Sequence, residues 1–590
     1  MTALTAQLSN HIGAIFKNQG LPEELGAVRT SDRPDLAQFQ CNGAMAAAKI
    51  AKKAPRMIAE AIVAELQNDP LFSEVSIAGP GFINLKLTEE ALSNHLLELG
   101  NSPSFLVPDS GQGKCAIVDY GGPNTAKPMH VGHLRSSIIG ESVKRTLKFI
   151  GYDAKGDIHL GDWGTHMGMV ISEFEIRHPE WVYFDENKVD DYPSEPPVTI
   201  KDLEKLYPEA SQASKSNEDR MAISRKATAD LQNKRPGYYA LWQHCFNISV
   251  EAMKKNFGAL DVYFDLWLGE SNAQDYIPDM AQKMQDDGHA IKDRGAIVIH
   301  VQQDTDKKEY PPLILYKSDG AVMYGTTDLA TIVQRVEDFD PVKMVYVVDQ
   351  RQHLHFEQVF RAARITKIIK DDVEMIHAGF GTMNGQDGTP FKTRAGGVMK
   401  LQDLIKMGIE KATLRIEEAN IGESYSAEER ADIAHKVAIA AIKFADLQNS
   451  RIADYIFDLD RLTSFEGKTG PYILYQAVRM KSLLRKAEDQ GFPVHAPSTI
   501  ELGDHETQIA LILTEFPSVI EQAAQNYTPH VLADYAYRLA QAYSSFYSHC
   551  PVLGETDEEL RQSRLYITGL ALRLLEQSLD LLGIPTPERM

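Results

Sequence analysis

The stretch that most constrains the fold is residues 114–140, where an apolar run, a tight turn and a helical pattern follow one another. Residues 115–118 are apolar and form a run short enough for one buried strand. The sequence GGPN (121–124) signals a turn, and helix-spaced apolar residues begin at Leu134. A strand that leads through a glycine-rich turn into a helix predicts a site for a phosphate or another anion.

Two histidines flank a glycine in this turn, at His130, Gly132 and His133. Glycine lets a ligand approach the backbone closely, and imidazoles can donate hydrogen bonds to a phosphoryl group as its negative charge grows. The pattern His-x-Gly-His is weak alone, because a loop with two structural histidines has the same sequence. Its place between a strand and a helix favours the functional interpretation.

In that context the motif resembles the HIGH signature of class I aminoacyl-tRNA synthetases and related nucleotidyltransferases. The longer string DYGGPNTAKPMHVGHLRSSIIGE (119–141), followed by HLGDWGTHMG (159–168), resembles the bacterial-type arginyl-tRNA synthetases. The resemblance implies an α/β fold, with a Rossmann-like class I synthetase catalytic domain, an N-terminal α+β added domain and a C-terminal all-α helical bundle. The implied activity is that of an arginine–tRNA ligase.

The length of 590 residues predicts several domains. We expect an N-terminal tRNA-contacting domain at 1–110, a catalytic domain at 111–400 with an insertion at about 176–290, a helical stem at 401–459 and a helical anticodon-binding domain at 460–590. The segment 75–88 predicts two strands around a Gly-Pro-Gly turn. The apolar runs 295–301, 313–318 and 344–349 predict strands for the second half of the α/β domain.

The resemblance also implies which residues bind ATP. It assigns ATP binding to Pro123, Met129, His130, Gly132, His133 and Lys392. The second ATP signature of class I enzymes, KMSKS, is replaced by FKTR within 381–401, with Lys392 in the motif and Arg394 near the position of its second lysine. Many arginyl enzymes carry a compensating lysine just upstream of the HIGH segment, and Lys127 matches it. The expected catalytic residues are therefore Lys127, His130, His133, Lys392 and Arg394.

Two alternatives stay open on this side. Either Lys127 or Arg394 replaces the missing lysine, and Lys127 could also be an ordinary solvated turn residue. The stretch 381–395 also fits a mobile glycine-rich loop, although a catalytic loop would have the same composition.

An arginine pocket needs planar, bidentate partners for the guanidinium, which means carboxylates. The resemblance places Glu270 and Asp328 against the guanidinium and Tyr324 beside it; Tyr324 and Asp328, four residues apart, can share one helix face. It places Asp119 and Asn124 near the α-ammonium, with help from Gln352. The plain alternative for Asp328 is a solvated carboxylate on a helix.

Basic residues cluster late in the chain, after Tyr472 and Tyr475. The cluster consists of Arg479, Lys481, Arg485 and Lys486. Basic and aromatic side chains together suit single-stranded bases and phosphates. The resemblance places this helix and the chain end at Met590 near the anticodon of tRNA, whereas a solvated helix face is the alternative.

Composition limits the partners. The net charge of −21 counts against nonspecific nucleic-acid binding, although a local basic face is enough for tRNA.

The four cysteines are far apart and form no Cys-x-x-Cys pair, so we expect neither a structural metal nor disulfides, and a reducing cytoplasm fits. No secretory signal or membrane span is recognised. The resemblance implies L-arginine, ATP with Mg²⁺ and tRNA(Arg) as substrates, and we expect a cytoplasmic monomer.

Two other functions share part of this sequence pattern. A different nucleotidyltransferase could use the same His-x-Gly-His pattern, but the long helical C-terminal part counts against it. A non-enzymatic tRNA-binding relative would not need His130 and His133 together with the acidic candidates Glu270 and Asp328.

Overall fold

The computed structural model describes residues 3–31, 33, 36–389, 391 and 399–590. The chain forms two compact units. The first comprises Met1–Ser110, Thr413–Phe444 and Leu462–Met590, and the second comprises Gly111–Ala412 and Ala445–Arg461.

The first unit begins with a small α+β layer. Its helices are α1 (Leu4–Asn18), α2 (Gly43–Ala51), α3 (Pro55–Leu66) and α4 (Glu89–Asn101), and its strands are β1 (Val28–Thr30), β2 (Phe39–Cys41), β3 (Phe72–Ala78) and β4 (Phe82–Leu87). The strands pair antiparallel in the order β1-β2-β4-β3 around an apolar core. The pair β3–β4 confirms the two strands predicted around the Gly-Pro-Gly turn.

The second unit is built on a parallel sheet. It contains β5 (Cys115–Tyr120) and β6 (Asp153–Asp157), joined by α5 (Leu134–Phe149). Its strand order is β11-β10-β5-β6, with every neighbouring pair parallel. The strand, turn and helix predicted at 114–140 are therefore present, and the turn lies at the carboxyl end of the sheet, where ligands bind in such folds.

Four helices follow β6 in the chain. They are α6 (Thr165–Arg177), α7 (Ile200–Ser216), α8 (Glu218–Gln232) and α9 (Pro236–Ala259). They enclose a core rich in aromatic side chains, in which Trp163 contacts Trp242 edge to face. This layer carries α7, which reaches residues of the candidate site.

The next segment corrects part of the sequence prediction. It contains α10 (Glu270–Ala273), α11 (Ile277–Asp286), β7 (Ala290–Asp293), β8 (Ala296–Ile299), β9 (Leu313–Tyr316) and α12 (Tyr324–Phe339). The runs 295–301 and 313–318 do contain strands, but β7, β8 and β9 form a separate antiparallel sheet. Their assignment to the main sheet was wrong, because no helix lies between β8 and β9 to provide the crossover that parallel neighbours need.

The main sheet is completed further along the chain. Its last strands are β10 (Lys343–Val347), which confirms the third predicted run, and β11 (Glu374–His377), with α13 (His353–Ile365) between them. A short parallel pair, β12 (Met383–Asn384) and β13 (Tyr455–Ile456), belongs to the same unit.

The remaining chain is helical. The helices α14 (Leu401–Glu418) and α15 (Ala427–Leu447) each have residues in both units, and α16 (Leu459–Leu462) is a single turn. The first unit ends in α17 (Gly470–Asp489), α18 (Asp504–Thr514), α19 (Phe516–Asn526), α20 (Pro529–His549) and α21 (Glu558–Leu581). Within the described ranges, no helix is both long and apolar enough to cross a membrane.

Candidate active site

Two loops leave the carboxyl ends of β5 and β6 and run side by side. Asn124 pairs with Gly161 across them, and the Thr125 N–H donates to the Gly161 carbonyl at 2.9 Å. A Cβ at position 161 would lie 2.0 Å from the Asn124 Oδ1 atom. A larger residue at 161 would displace the Asn124 side chain, so the glycine leaves room for the Asn124 amide beside the second loop.

The histidines of the first loop are linked by hydrogen bonds. The Gly132 N–H donates to His130 Nδ1 at 3.1 Å, and the His130 N–H donates to His133 Nδ1 at the same distance. The ring centroids lie 4.0 Å apart. A Cβ at position 132 would lie 2.8 Å from the His130 ring, so the motif needs a glycine there.

The surroundings of His130 and His133 lower the pKa of both imidazoles. Burial, then the neighbouring His130, lowers the pKa of His133 to about 3, and burial followed by the nearby Lys127 ammonium lowers the pKa of His130. Both rings are therefore neutral near pH 7. The His130 Nδ1 accepts the Gly132 N–H, so the proton of the neutral His130 ring lies on Nε2. The His133 Nδ1 lies 3.1 Å from the His130 nitrogen and 3.2 Å from the His130 carbonyl oxygen, so the donor and acceptor roles there depend on the His133 tautomer.

Lys127 lies beside this pair, just after Ala126, which has a left-handed backbone with φ +58°. Besides burial, the Lys127 ammonium lowers the pKa of His130, and its charge acts in the same direction on His133 and His166. Its Nζ lies 4.6 Å from the ring centroid of Tyr207 on α7. The loop therefore holds a cation next to two neutral donors. Lys392 and Arg394 lie outside the described residues, so the choice between Lys127 and Arg394 stays open.

The segment that follows the FKTR stretch is fastened to the histidine motif. The Val131 N–H donates to the Met399 carbonyl at 3.0 Å, and the Leu401 N–H donates to the Met129 carbonyl at 3.1 Å. Between them, Lys400 pairs with Glu204 of α7 at 2.7 Å. Met129 and Pro123 are buried, and their expected contact with ATP stays a prediction.

Carboxylates gather on the other side of the same loops. Asp328 on α12 accepts a hydrogen bond from His355 Nε2 at 2.5 Å, and His159 Nε2 lies 3.9 Å from its second oxygen. Glu270 begins α10 and accepts the backbone N–H of Trp163. Burial raises the pKa of Glu270 to about 7. The charges of Asp162 and Asp328 act in the same direction, whereas His159 opposes them.

The other residues expected to bind arginine surround this group. Tyr324 is the first residue of α12, one turn before Asp328, and is 74% exposed. Gln352 is exposed immediately before α13. Asp119 at the end of β5 accepts from the buried Arg335 at 2.5 Å, so part of its carboxylate is already engaged. Asn124 is half-buried.

Several residues of this site were missed from the sequence. His159 and Asp162 lie within the string 159–168, and His355 lies three residues after Gln352, but a sequence does not show which side chains lie near Asp328 or Glu270. Glu204 and Tyr207 were missed because they lie in the insertion, although their spacing of three residues places them on one helix face.

A second candidate site lies in the helical part of the first unit. A cavity of about 560 Å³ is lined by Tyr475, Arg479, Lys486, Tyr547 and Met590, among others. The Arg479 guanidinium lies 4.8 Å from the Tyr475 ring centroid and 5.1 Å from that of Tyr547. This combination of cation and aromatic faces suits an unstacked base.

The other two basic residues predicted for tRNA have protein partners. Lys481 is buried and pairs with Glu576 and Glu588, each at 2.8 Å. Arg485 donates to the Glu588 carbonyl at 3.0 Å. Both side chains fasten the C-terminal segment, which brings Met590 to the cavity, so their contact with tRNA stays a prediction.

Among the residues that the structure describes, no group of three or more His, Cys, Asp or Glu side chains could hold a metal ion.

Comparisons with known proteins cover the full chain. Residues 99–459 match the family model "tRNA synthetases class I (R), catalytic domain", residues 473–590 match "DALR anticodon binding domain", and residues 2–87 match "Arginyl tRNA synthetase N terminal domain". Arginine–tRNA ligases of Alkaliphilus oremlandii and Maricaulis maris are 46% and 48% identical, over 100% of both chains in each case.

A solved structure agrees with this relation. The crystal structure of arginyl-tRNA synthetase from Plasmodium falciparum aligns with a TM-score of 0.82 at 26% identity, covering 100% of both chains. The matched catalytic model spans more than half of the chain and includes both the neutral histidines and the acidic pocket. The chain therefore belongs to the arginine–tRNA ligase family of class I aminoacyl-tRNA synthetases.

Proposed function

We propose that this chain activates L-arginine with ATP and transfers the arginyl group to the terminal adenosine of tRNA(Arg), with release of AMP and pyrophosphate. The observation that carries the proposal is the position of the acidic group around Asp328 and Glu270. This group lies beside the loop 158–164 that follows β6, and His166, at the start of the next helix α6, comes close to Lys127 beside the histidine pair.

In the first step, an arginine carboxylate oxygen attacks the α-phosphorus of ATP, and the bond to pyrophosphate breaks. Asp328 and Glu270 would hold the guanidinium, and Tyr324 and Gln352 would line the rest of the substrate. Asn124 and the free part of Asp119 would face the α-ammonium. Catalysis rests on positioning the two reactants, with no covalent enzyme intermediate.

The developing negative charge needs fixed donors. The Nε2–H groups of His130 and His133 would donate to phosphate oxygens, and Lys127 would meet the charge that leaves with pyrophosphate. Gly132 would allow ATP to approach the backbone closely. Lys392 and Arg394 are proposed as further cations from the FKTR stretch.

In the second step, a ribose hydroxyl of the terminal adenosine attacks the arginyl carbonyl and AMP leaves. The cavity around Arg479, Lys486 and Met590 is proposed to take an anticodon base. Tyr475 and Tyr547 give it aromatic faces for stacking. Lys481 and Arg485 would act there by holding the C-terminal segment in place.

ATP is expected to react as its Mg²⁺ complex, in which the ion arrives with the substrate. The chain is also proposed to act as a monomer. For its location we propose the cytoplasm, since four widely spaced cysteines without a Cys-x-x-Cys pair fit a reducing compartment.

The test is charging of total tRNA with radiolabelled arginine, with lysine as the competing amino acid. We expect arginine to be incorporated and lysine to be rejected, since a single ammonium cannot satisfy two carboxylates as a planar guanidinium does. A matched control is Asp338→Ala, an exposed carboxylate on the same helix as Asp328, which should charge normally. Failure to incorporate arginine, or equal use of lysine, would contradict the proposal.

A further inference from the structure

Carboxylates outnumber the permanent cations that face them in the amino-acid pocket. At its floor, Asp119 and Asp157 share the single guanidinium of Arg335, at 2.5 and 2.7 Å. Above them lie Asp162, Glu270 and Asp328, of which none is paired with a Lys or Arg in the described ranges. Such a pocket must either hold protons or wait for a cation.

Imidazoles meet Asp328 on both sides. His355 on α13 lies 2.5 Å from Oδ2, and His159 lies 3.9 Å from Oδ1. The hydrogen bond to Asp328 raises the pKa of His355. The His355 imidazole therefore lies on an Asp328 oxygen that a guanidinium would contact, and its hydrogen bond holds the Asp328 carboxylate in place.

Glu270 holds a proton for a different reason. Asp162 lies beside it and accepts the Ser271 hydroxyl at 2.5 Å and the Ser271 N–H at 3.0 Å, so the Asp162 oxygens are already engaged. Burial first, and then the charges of Asp162 and Asp328, raise the pKa of Glu270 to about 7 against the opposing effect of His159. Near neutral pH this carboxyl is protonated in a large fraction of the molecules.

We propose that arginine enters this pocket with the release of protons from the protein, and that His355 is the positioning residue that holds Asp328 until the guanidinium replaces it. The inference rests on the proposed function. The guanidinium arrives charged and stays charged. The O–H of Glu270 or the Nε2–H of His355 gives its proton to the solvent, and no other bond changes.

Proton release makes arginine binding depend on pH. Below the pKa of Glu270 and of His355, arginine binding must expel a proton, so binding weakens as the pH falls. The KM for arginine should fall about tenfold between about pH 6 and about pH 8. The ionisable groups that face Asp328 and Glu270 from the neighbouring elements are Asp119, Asp157, His159, Asp162, Arg335, Tyr346 and His355.

The direct test is calorimetric titration of the full chain with arginine near pH 7, in phosphate and in Tris. These buffers differ in ionisation enthalpy, so the difference in observed heat gives the number of protons released. We expect a net release in the wild type. In His355→Gln, which keeps an N–H donor that does not titrate, we expect a smaller release and a flatter pH profile of the arginine KM, with the ATP KM unchanged.

The matched control is His353→Gln. His353 lies on the same helix and stacks on His377, away from Asp328, so its replacement should leave the proton count at the wild-type value. Thermal unfolding of each variant checks that it is folded. Equal heats in both buffers for the wild type would overturn the proton release, and a wild-type proton count in folded His355→Gln would overturn its positioning role. A wild type that charges arginine with a flat pH profile overturns only this inference, whereas one that neither binds nor charges arginine overturns the proposed function itself.

Discussion

Histidines lie on both sides of the candidate active site, and their neighbours give them opposite states. Beside the Lys127 ammonium, burial first and then the neighbouring His130 lower the pKa of His133 to about 3. On the amino-acid side, His355 bonds to the Asp328 carboxylate and its pKa rises. The same side chain is thus neutral near pH 7 in one place and paired with a carboxylate in the other, which fits the proposed roles of an anion donor and a removable counter-ion.

The contrast is tested most strongly at Asp328. In Asp328→Ala the guanidinium loses a carboxylate partner within a partly buried pocket, and His355 loses its hydrogen bond. Truncating one partner of such a charge pair typically costs about 2–5 kcal/mol, so we expect the arginine KM to rise about 30- to 4000-fold. The KM for ATP should change little. Steady-state charging kinetics measure both, with Asp338→Ala as the control, and a similar rise in both KM values would remove Asp328 from the arginine pocket.

On the phosphate side the decisive residue is Lys127. Removing one preorganised donor from developing charge typically costs about 10²–10³ in rate, so Lys127→Ala should lower the adenylation rate by that factor. Arginine affinity should stay near the wild-type value, because Asp328 and Glu270 are unchanged. Single-turnover adenylation in the presence of tRNA measures the rate, and Lys205→Ala, an exposed lysine on α7, is the control.

A Lys127→Ala enzyme within about twofold of the wild type, beside a strongly impaired Arg394→Ala enzyme, would assign the compensating role to the FKTR stretch.

Much of the fold followed from the sequence because its signals are local. The strand, turn and helix at 114–140 and the pair β3–β4 depend on residues close in the chain. The strands β8 and β9 were recognised as strands, but their sheet was not, since an apolar run does not state which strand it pairs with.

The candidate site shows the same limit. The resemblance proposes Asp328, Glu270, Lys127 and the two histidines as site residues, but their hydrogen bonds and pKa values depend on neighbours far away in the sequence. His355 meets Asp328 across two helices, and Tyr207 reaches Lys127 from a helix of the insertion. No periodicity in the sequence reports such contacts, because they are fixed only when the helices pack.

A smaller loss of adenylation rate is expected when the contact between Lys127 and the Tyr207 ring is removed. A cation over an aromatic face contributes about 0.5–2 kcal/mol, so Tyr207→Leu should slow adenylation about 2- to 30-fold by leaving Lys127 unsupported. Tyr207→Phe keeps the ring and should restore most of the rate, whereas a role of the hydroxyl would leave Phe as impaired as Leu. Lys127→Ala combined with Tyr207→Leu should be no slower than Lys127→Ala alone, and additive losses would show that Tyr207 acts independently of Lys127.

The last prediction is that the His133 ring does not titrate near neutral pH. With ¹³C-labelled histidine rings, the His133 signal should not shift between about pH 5.5 and about pH 8, because its pKa of about 3 lies well below that window. The His355 signal should shift within or above the same window, since its pKa is raised from the usual value. The variants His133→Gln and His355→Gln assign the two signals by their loss.

If His133 titrated near the ordinary histidine pKa, it would carry a charge for part of this range and the neutral-donor description of the phosphate side would be wrong. If both signals shifted together, the two sides of the site would not differ in the way that their neighbouring charges require.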